Sequence, residues 1–311
     1  MTDLSARPAT APAARRRHLN ERRREALFGY LFTLPQLLGF LAFVIGPMIA
    51  VIWFSMTDYQ ALTGQSTFVG LDNLKHLAED PKLPGVLRTT ILFVALYVPA
   101  GLALGLVLAV AVNQKIPGIK WFRAVYFMPT LVSIAAWTIV WQFMLVPNGL
   151  INEFLRMLDI HGPVWLRDPD LALAAVIGVQ LIKGAGLNML IFVAALQGVP
   201  KELVEAARLD GAGRWTIARR VTLPMISPEI LMVFILMTIG AFKTFQQVLL
   251  LTEGGPGTST TVLAYYVYEQ AFKFNDFGYA SALALLLFLI LLLITALTWQ
   301  LRKRVVFHES A

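Results

Sequence analysis

Apolar positions in this chain gather into runs long enough to cross a lipid bilayer, rather than alternating or recurring singly. Four runs carry no charged residue: 26–57, 89–114, 124–152 and 277–301. Two more, 171–199 and 230–251, each contain one lysine, Lys183 and Lys243. A hydrocarbon core about 30 Å thick needs roughly 20 apolar residues of helix. The pattern therefore predicts an all-α polytopic membrane protein with six transmembrane helices. The first run is too long for a signal-peptide core and is expected to stay as the first membrane helix. Pro35 and Pro47 in the first span, Pro99 in the second and Pro129 in the third each withhold a backbone N–H and predict local kinks. Gly101, Gly105 and Ala109 fall on one face of the second span, a spacing that lets helices approach closely.

The basic residues orient this bundle. The N-terminal tail, the 113–123 loop, the 200–229 loop and the C-terminal tail together hold 18 Lys and Arg, whereas the three alternate loops hold six. Positive loops remain in the cytoplasm, so both termini and the 200–229 loop are expected inside, which requires an even number of spans. Residues 1–25 read as a basic, disordered cytoplasmic tail, 26–305 as the membrane domain and 306–311 as a short tail. Arg15–Arg17 and Arg22–Arg24 suit anionic lipid headgroups beside a membrane helix, and no nucleic-acid partner is expected.

Composition narrows the chemistry. With 57% apolar and 14% charged residues, the chain is too apolar for a disordered protein and too poor in charge for an ordinary soluble enzyme. Cysteine is absent, and His18, His76, His161 and His308 lie outside the spans without ligand spacing. No GxxxxGK[ST] phosphate loop, paired carboxylates or Ser/His/Asp arrangement is present. The chain is thus expected to bind no cofactor or metal and not to act as an enzyme. A secondary-active solute carrier is a rival reading, but such carriers often show two related halves. None is visible between 26–152 and 171–301, and six spans suit half of a two-permease pathway.

The 200–228 loop has the most specific pattern. Pro200 sits where a first helical turn accepts proline, and Glu202 and Glu205 suit the positive end of the dipole. Leu203, Ala206, Ala207 and Asp210 share a face, and Gly211 and Gly213 permit a left-handed turn. A second short helix is expected over about 214–222, stopped by Pro224 and Pro228. This helix-turn-helix is either a knob that another protein's backbone approaches at Ala206, Ala207, Gly211 and Ala212, or an interfacial loop anchored in lipid by Trp215.

Glu205-Ala206-Ala207, Asp210-Gly211-Ala212, Leu223-Pro224 and Pro228 together resemble the EAA loop of binding-protein-dependent ABC importer permeases. The resemblance extends through Phe68-Val69-Gly70-Leu71-Asp72-Asn73, Phe122-Arg123-Ala124, Met128-Pro129, Gly149-Leu150-Ile151-Asn152 and Leu251-Thr252-Glu253-Gly254-Gly255-Pro256. The last of these is similar to the carbohydrate branch, which includes maltose-type and glycerol-phosphate-type permeases. The resemblance implies a subunit in the bacterial inner membrane whose coupling loop docks into a cleft of a cytoplasmic ABC ATPase dimer. Glu205, Ala206, Ala207, Asp210, Gly211, Ala212, Leu223 and Pro224 would make the contact. It also implies a second six-helix permease as a heterodimer partner and an extracytoplasmic substrate-binding protein. ATP and Mg²⁺ would be used by the ATPase alone. An importer for a non-carbohydrate substrate is the alternative within this family. Gln246 stands where the family often has an acidic residue.

Polar residues inside spans are costly and tend to face a cavity or a partner. The substrate-pathway candidates are Gln180, Lys183 and Asn188 in the fourth span and Lys243, Gln246 and Gln247 in the fifth. Amides both donate and accept, which suits hydroxyl-rich ligands, whereas a lysine favours an anion. The bland alternatives are that Lys183 pairs with a neighbouring helix and that Lys243 snorkels or bonds backbone carbonyls. Gly184, Gly186 and Gly240 predict irregular backbone in both spans, and 254–257 reads as a flexible outer loop.

Overall fold

The computed structural model describes residues 13–60, 64–114 and 116–305. The chain divides into two compact units, Met1–Trp53 and Phe54–Ala311. In the first, α1 (Ala13–Phe40) leads through a π-helical turn, Leu41–Ile45, into α2 (Gly46–Ser55), whose last two residues belong to the second unit. Pro47 has no N–H to offer the preceding turn. The wide turn answers this, with the Gly46 N–H reaching back to the Leu41 carbonyl. Helix α1 begins inside the segment expected to be a disordered tail, so residues 13–25 are helical, while 1–12 and 306–311 lie outside the described residues.

The second unit opens with an antiparallel hairpin, β1 (Thr57–Gln60) and β2 (Gln65–Phe68), with Thr57 opposite Phe68. Then follow α3 (Asp72–Glu79), α4 (Leu83–Val112), α5 (Ile119–Leu131), α6 (Ile134–Leu145), α7 (Leu150–Met157) and α8 (Ala172–Gly198). Next come α9 (Lys201–Leu209), α10 (Arg214–Ile217), α11 (Leu223–Met225), α12 (Ser227–Phe242), α13 (Gln246–Leu251), α14 (Leu263–Tyr268) and α15 (Phe277–Val305).

Among the described residues five helical stretches are long and apolar enough to cross a membrane, and a sixth is obtained if a bent pair counts as one span. The five are Leu27–Ser55, Leu83–Val112, Ile134–Met157, Ala172–Gly198 and Phe277–Gln300. The pair is Arg214–Met225 and Ser227–Phe242, meeting at 67°. The expected third and fifth spans are therefore not single helices. Run 124–152 breaks between Leu131 and Ile134, where Ser133 caps α6 by accepting the Ala136 N–H at 3.3 Å. Run 230–251 breaks at Lys243–Phe245, between α12 and α13.

Helix α8 is the hub, packing against α4, α5 and α12. Because lipid is as apolar as leucine, close van der Waals packing of small residues rather than burial from water holds such helices together. The small-residue face of α4 serves this purpose. A Cβ on Gly105 would lie 2.8 Å from the Asn188 Cβ, and one on Gly101 would strike the end of Met237. Phe93, Val98, Met189, Phe192, Val233 and Met237 fill the rest of the core.

The hairpin end is held by polar bonds. Asn73, the last residue of the Phe68–Asn73 motif, donates to the carbonyls of Ser55 and Thr57, both at 3.0 Å. Asn152 similarly donates to Pro147 and Pro163 and accepts the Trp165 indole N–H at 2.8 Å. The 254–257 stretch, expected as a flexible outer loop, has side-chain hydrogen bonds on its backbone carbonyls. Thr260 and Thr261 donate to the carbonyls of Gly255 and Gly254, and the Tyr265 hydroxyl donates to Glu253 at 2.8 Å.

Asp80 joins stretches far apart in the sequence here. Its buried carboxylate accepts from Tyr266 at 2.6 Å, from Tyr279, and from the Lys82 N–H at 2.8 Å. Burial pushes the carboxyl up, but the donors Tyr266, Tyr279 and Lys82, with His76 nearby, outweigh it and hold Asp80 below the usual carboxylate range. A depressed carboxyl stabilises the fold above its unfolded pKa of about 4, and that contribution fades as pH falls through the folded value. Asp80→Asn is expected to cost about 2–3 kcal/mol near neutral pH and to flatten the acid limb. Denaturant unfolding of the solubilised chain across the acid range reads both effects.

Candidate functional site

The 200–228 loop is built as a capped helix-turn-helix. Pro200 precedes α9, and Glu202 lies in its first turn. At the other end Gly211 has φ +80°, the left-handed conformation that glycine adopts at little cost. Its N–H bonds to Arg208 and the Ala212 N–H to Ala207, at 3.0 and 2.9 Å, which together form a Schellman cap. Ala207 and Ala212, the residues that close this cap, are half-buried, whereas Glu205, Ala206, Asp210 and Gly211 are exposed. Gly213 keeps a negative φ and precedes α10 instead of sharing the left-handed turn.

The second helix does not stop at Pro224. After α10 a π-helical turn over Ala218–Thr222 leads straight into α11, so the chain stays helical through Leu223 and Pro224 to Met225. The wider turn accommodates a proline that has no N–H for a regular α-helical bond. Leu209 and Trp215 flank the knob and are 89% and 77% exposed. Among the described residues the Glu205 carboxylate has no ion pair or hydrogen bond. Behind α9 a cavity of about 650 Å³ is lined by Asn113, Arg123, Gln197, Lys201, Glu205 and Arg208. Arg123 also donates to the Val112 carbonyl at the end of α4.

The six polar residues of the spans separate into different roles. Helix α8 runs unbroken through Lys183, contrary to the irregularity expected from Gly184 and Gly186. The irregularity lies in the facing chain, where α5 ends. The Lys183 ammonium donates to the carbonyls of Pro129, at 2.9 Å, and Val132, and the Thr130 hydroxyl returns a bond to the Lys183 carbonyl at 3.2 Å. A cation at a helix C-terminus satisfies orphan carbonyls and complements the dipole. Asn188 is buried and donates to the Met237 sulfur at 3.2 Å, and Gln247 is buried in α13.

Gln180, Lys243 and Gln246 converge on the break between α12 and α13. Gln180 donates to the Thr244 hydroxyl at 3.1 Å, and Thr244 donates to Gly240. Lys243 is exposed at this break, with no bonded partner among the described residues, and Gln246 is half-buried. Thr244 was missed in the sequence because a lone threonine in an apolar run is ordinary. Its place beside Lys243 and Gly240 was the available signal.

Comparison with known proteins decides the family. Residues 101–306, about two-thirds of the chain, match the model described as "Binding-protein-dependent transport system inner membrane component". The chain belongs to this family of binding-protein-dependent transport permeases. The matched stretch contains both the α9 knob and the α12–α13 break. The multiple sugar-binding transport system permease of Streptococcus mutans is 33% identical, covering 89% of this chain and 96% of that one. The sn-glycerol-3-phosphate transport system permease of Pectobacterium atrosepticum is 31% identical, with coverages of 92% and 97%. The trehalose/maltose transport system permease of Thermococcus litoralis is 30% identical, with coverages of 88% and 92%. The permease fold also matches a chain from the crystal structure of a bacterial alginate ABC transporter bound to an alginate-loaded periplasmic protein. The TM-score is 0.81 at 23% identity, covering 92% of this chain and 96% of that one.

Proposed function

We propose that this chain is one permease of an ATP-driven importer of sugars or related polyols, lining half of the pathway. The observation that carries the reading is the exposed, rigidly capped Glu205–Ala212 knob in a chain with no phosphate-binding loop of its own. In a binding-protein-dependent permease that lacks its own nucleotide site, another protein is on this reading the source of power and the knob is its point of contact. A cytoplasmic ATPase dimer holds ATP and Mg²⁺, while a second permease, a different chain, completes the pathway. An extracytoplasmic binding protein delivers the substrate. The basic-loop asymmetry supports both termini and the knob lying in the cytoplasm. ATP binding brings the two knobs together and opens the permease pair outward; hydrolysis reverses the movement.

The relatives' names supply the substrate class. The exposed Lys243, next in sequence to the Thr244 that Gln180 holds, offers a cation near amide groups, which suits a hydroxyl-rich or anionic ligand. The test is uptake of labelled maltose, trehalose, lactose and glycerol 3-phosphate into liposomes holding the tagged chain and the proteins that co-purify with it. At least one sugar should enter only with internal ATP and binding protein, unaffected by a proton ionophore. Ionophore-sensitive uptake by this chain alone would make it a secondary carrier.

A further inference from the structure

A continuous ladder of aromatic rings runs through the second unit from the hairpin to the α12–α13 break. Successive centroids lie 5.0 Å apart from Phe54 to Tyr59, 6.0 Å to Phe277, 5.8 Å to Phe272, 5.3 Å to Tyr268 and 5.7 Å to Phe245. The inner end is Phe245, which directly follows Thr244 and lies two residues from the exposed Lys243. Phe272 touches a ring on either side and is still 64% exposed, and Phe245 is 36% exposed, so the ladder keeps free ring surface at both places. Polar groups run alongside. Lys273, next to Phe272, donates to the Tyr265 hydroxyl at 2.7 Å and pairs with Glu269 at 3.6 Å.

That combination matches the two-sided chemistry of a sugar. The axial C–H bonds of a pyranose form an apolar face that stacks on an aromatic ring, while its rim hydroxyls need charged or amide partners. We propose that the ladder is a sugar-stacking track that passes pyranose rings from the hairpin end to the break at Lys243. The inference rests on the sugar-importer reading and adds a route to it. Sugars of two or three rings gain most, because several rings engage at once.

Uptake kinetics in cells carrying the full chain with its native partners test this, with maltose, maltotriose and the ringless glycerol 3-phosphate as probes. Phe272→Ala is expected to raise the KM for maltotriose about tenfold, equivalent to one lost stacking contact of about 1.4 kcal/mol. KM for glycerol 3-phosphate should stay unchanged, and Phe272→Tyr should restore the maltotriose value. Phe272→Leu keeps an apolar side chain without a ring. Recovery of the maltotriose KM in that variant would mean that Phe272 meets lipid or protein, and would overturn the track. An unchanged maltotriose KM in Phe272→Ala would also overturn the track while sparing the importer reading. Failure of the unmodified chain to transport either sugar would remove both.

Discussion

Gly211→Val is expected to abolish ATP-driven uptake while leaving the membrane bundle folded. The reason is conformational. A Cβ at Gly211 meets nothing within 4 Å, but the residue sits at φ +80°, a region that costs a β-branched side chain about 1–3 kcal/mol. The Schellman cap then opens, and Glu205, Asp210 and Ala212 lose their fixed spacing. Gly211→Asn should keep most activity, because asparagine visits the left-handed region readily. Glu205→Lys tests the same surface by charge, leaving the backbone intact. Both damaging variants should lose roughly tenfold or more of uptake and of ATPase recovered by pull-down, with unaltered unfolding of the solubilised chain. Normal uptake and recovery in both would remove the knob from the coupling contact.

The second large effect is structural. Gly186→Ala is expected to destabilise the chain by about 3 kcal/mol or more. A methyl there would strike the Tyr126 carbonyl and come within 2.7 Å of the Phe127 Cα. These are backbone atoms and cannot rotate aside, so α5 must move off α8. Overpacking of this kind costs about 1–3 kcal/mol. The shift also pulls the Pro129 and Val132 carbonyls away from Lys183, three residues earlier on α8, and leaves them unsatisfied at further cost. Gly178→Ala is the matched control, on the same helix with nothing within 4 Å of the new methyl. It should be neutral or stabilising by up to about 1 kcal/mol, since alanine favours helix. Equal thermal stability of the two variants would show that α5 and α8 are not in such close contact.

Hydropathy revealed where the chain crosses the membrane because hydrocarbon imposes a length on each apolar run. It did not reveal that two of the runs are broken. A helix and an interrupted helix of the same composition have the same hydropathy, and the difference lies in partners far along the chain. Lys183 takes up carbonyls more than fifty residues away, and Gln180 holds Thr244 sixty-four residues on. The Asp80 clasp was hidden likewise, since its tyrosines lie 186 and 199 residues away. The turn after α9 was legible because the glycine and alanines that close its cap lie within one short segment. The aromatic ladder was invisible because its six rings come from six separate stretches, spread from α2 to the start of α15.

The unbroken course of α8 has a mechanical meaning. Its 27 residues form a rod of about 40 Å at 1.5 Å per residue, joined to α9 by Val199 and Pro200 alone. The proline restricts that joint to a narrow range of angles. A tilt applied at the knob therefore swings the far end of the rod instead of being absorbed at its base. Lys183 and Gln180 ride partway along, gripping the ends of α5 and of α12. Under the importer reading the rod serves as a lever whose handle is α9 and whose two grips fall on the interrupted stretches of the bundle.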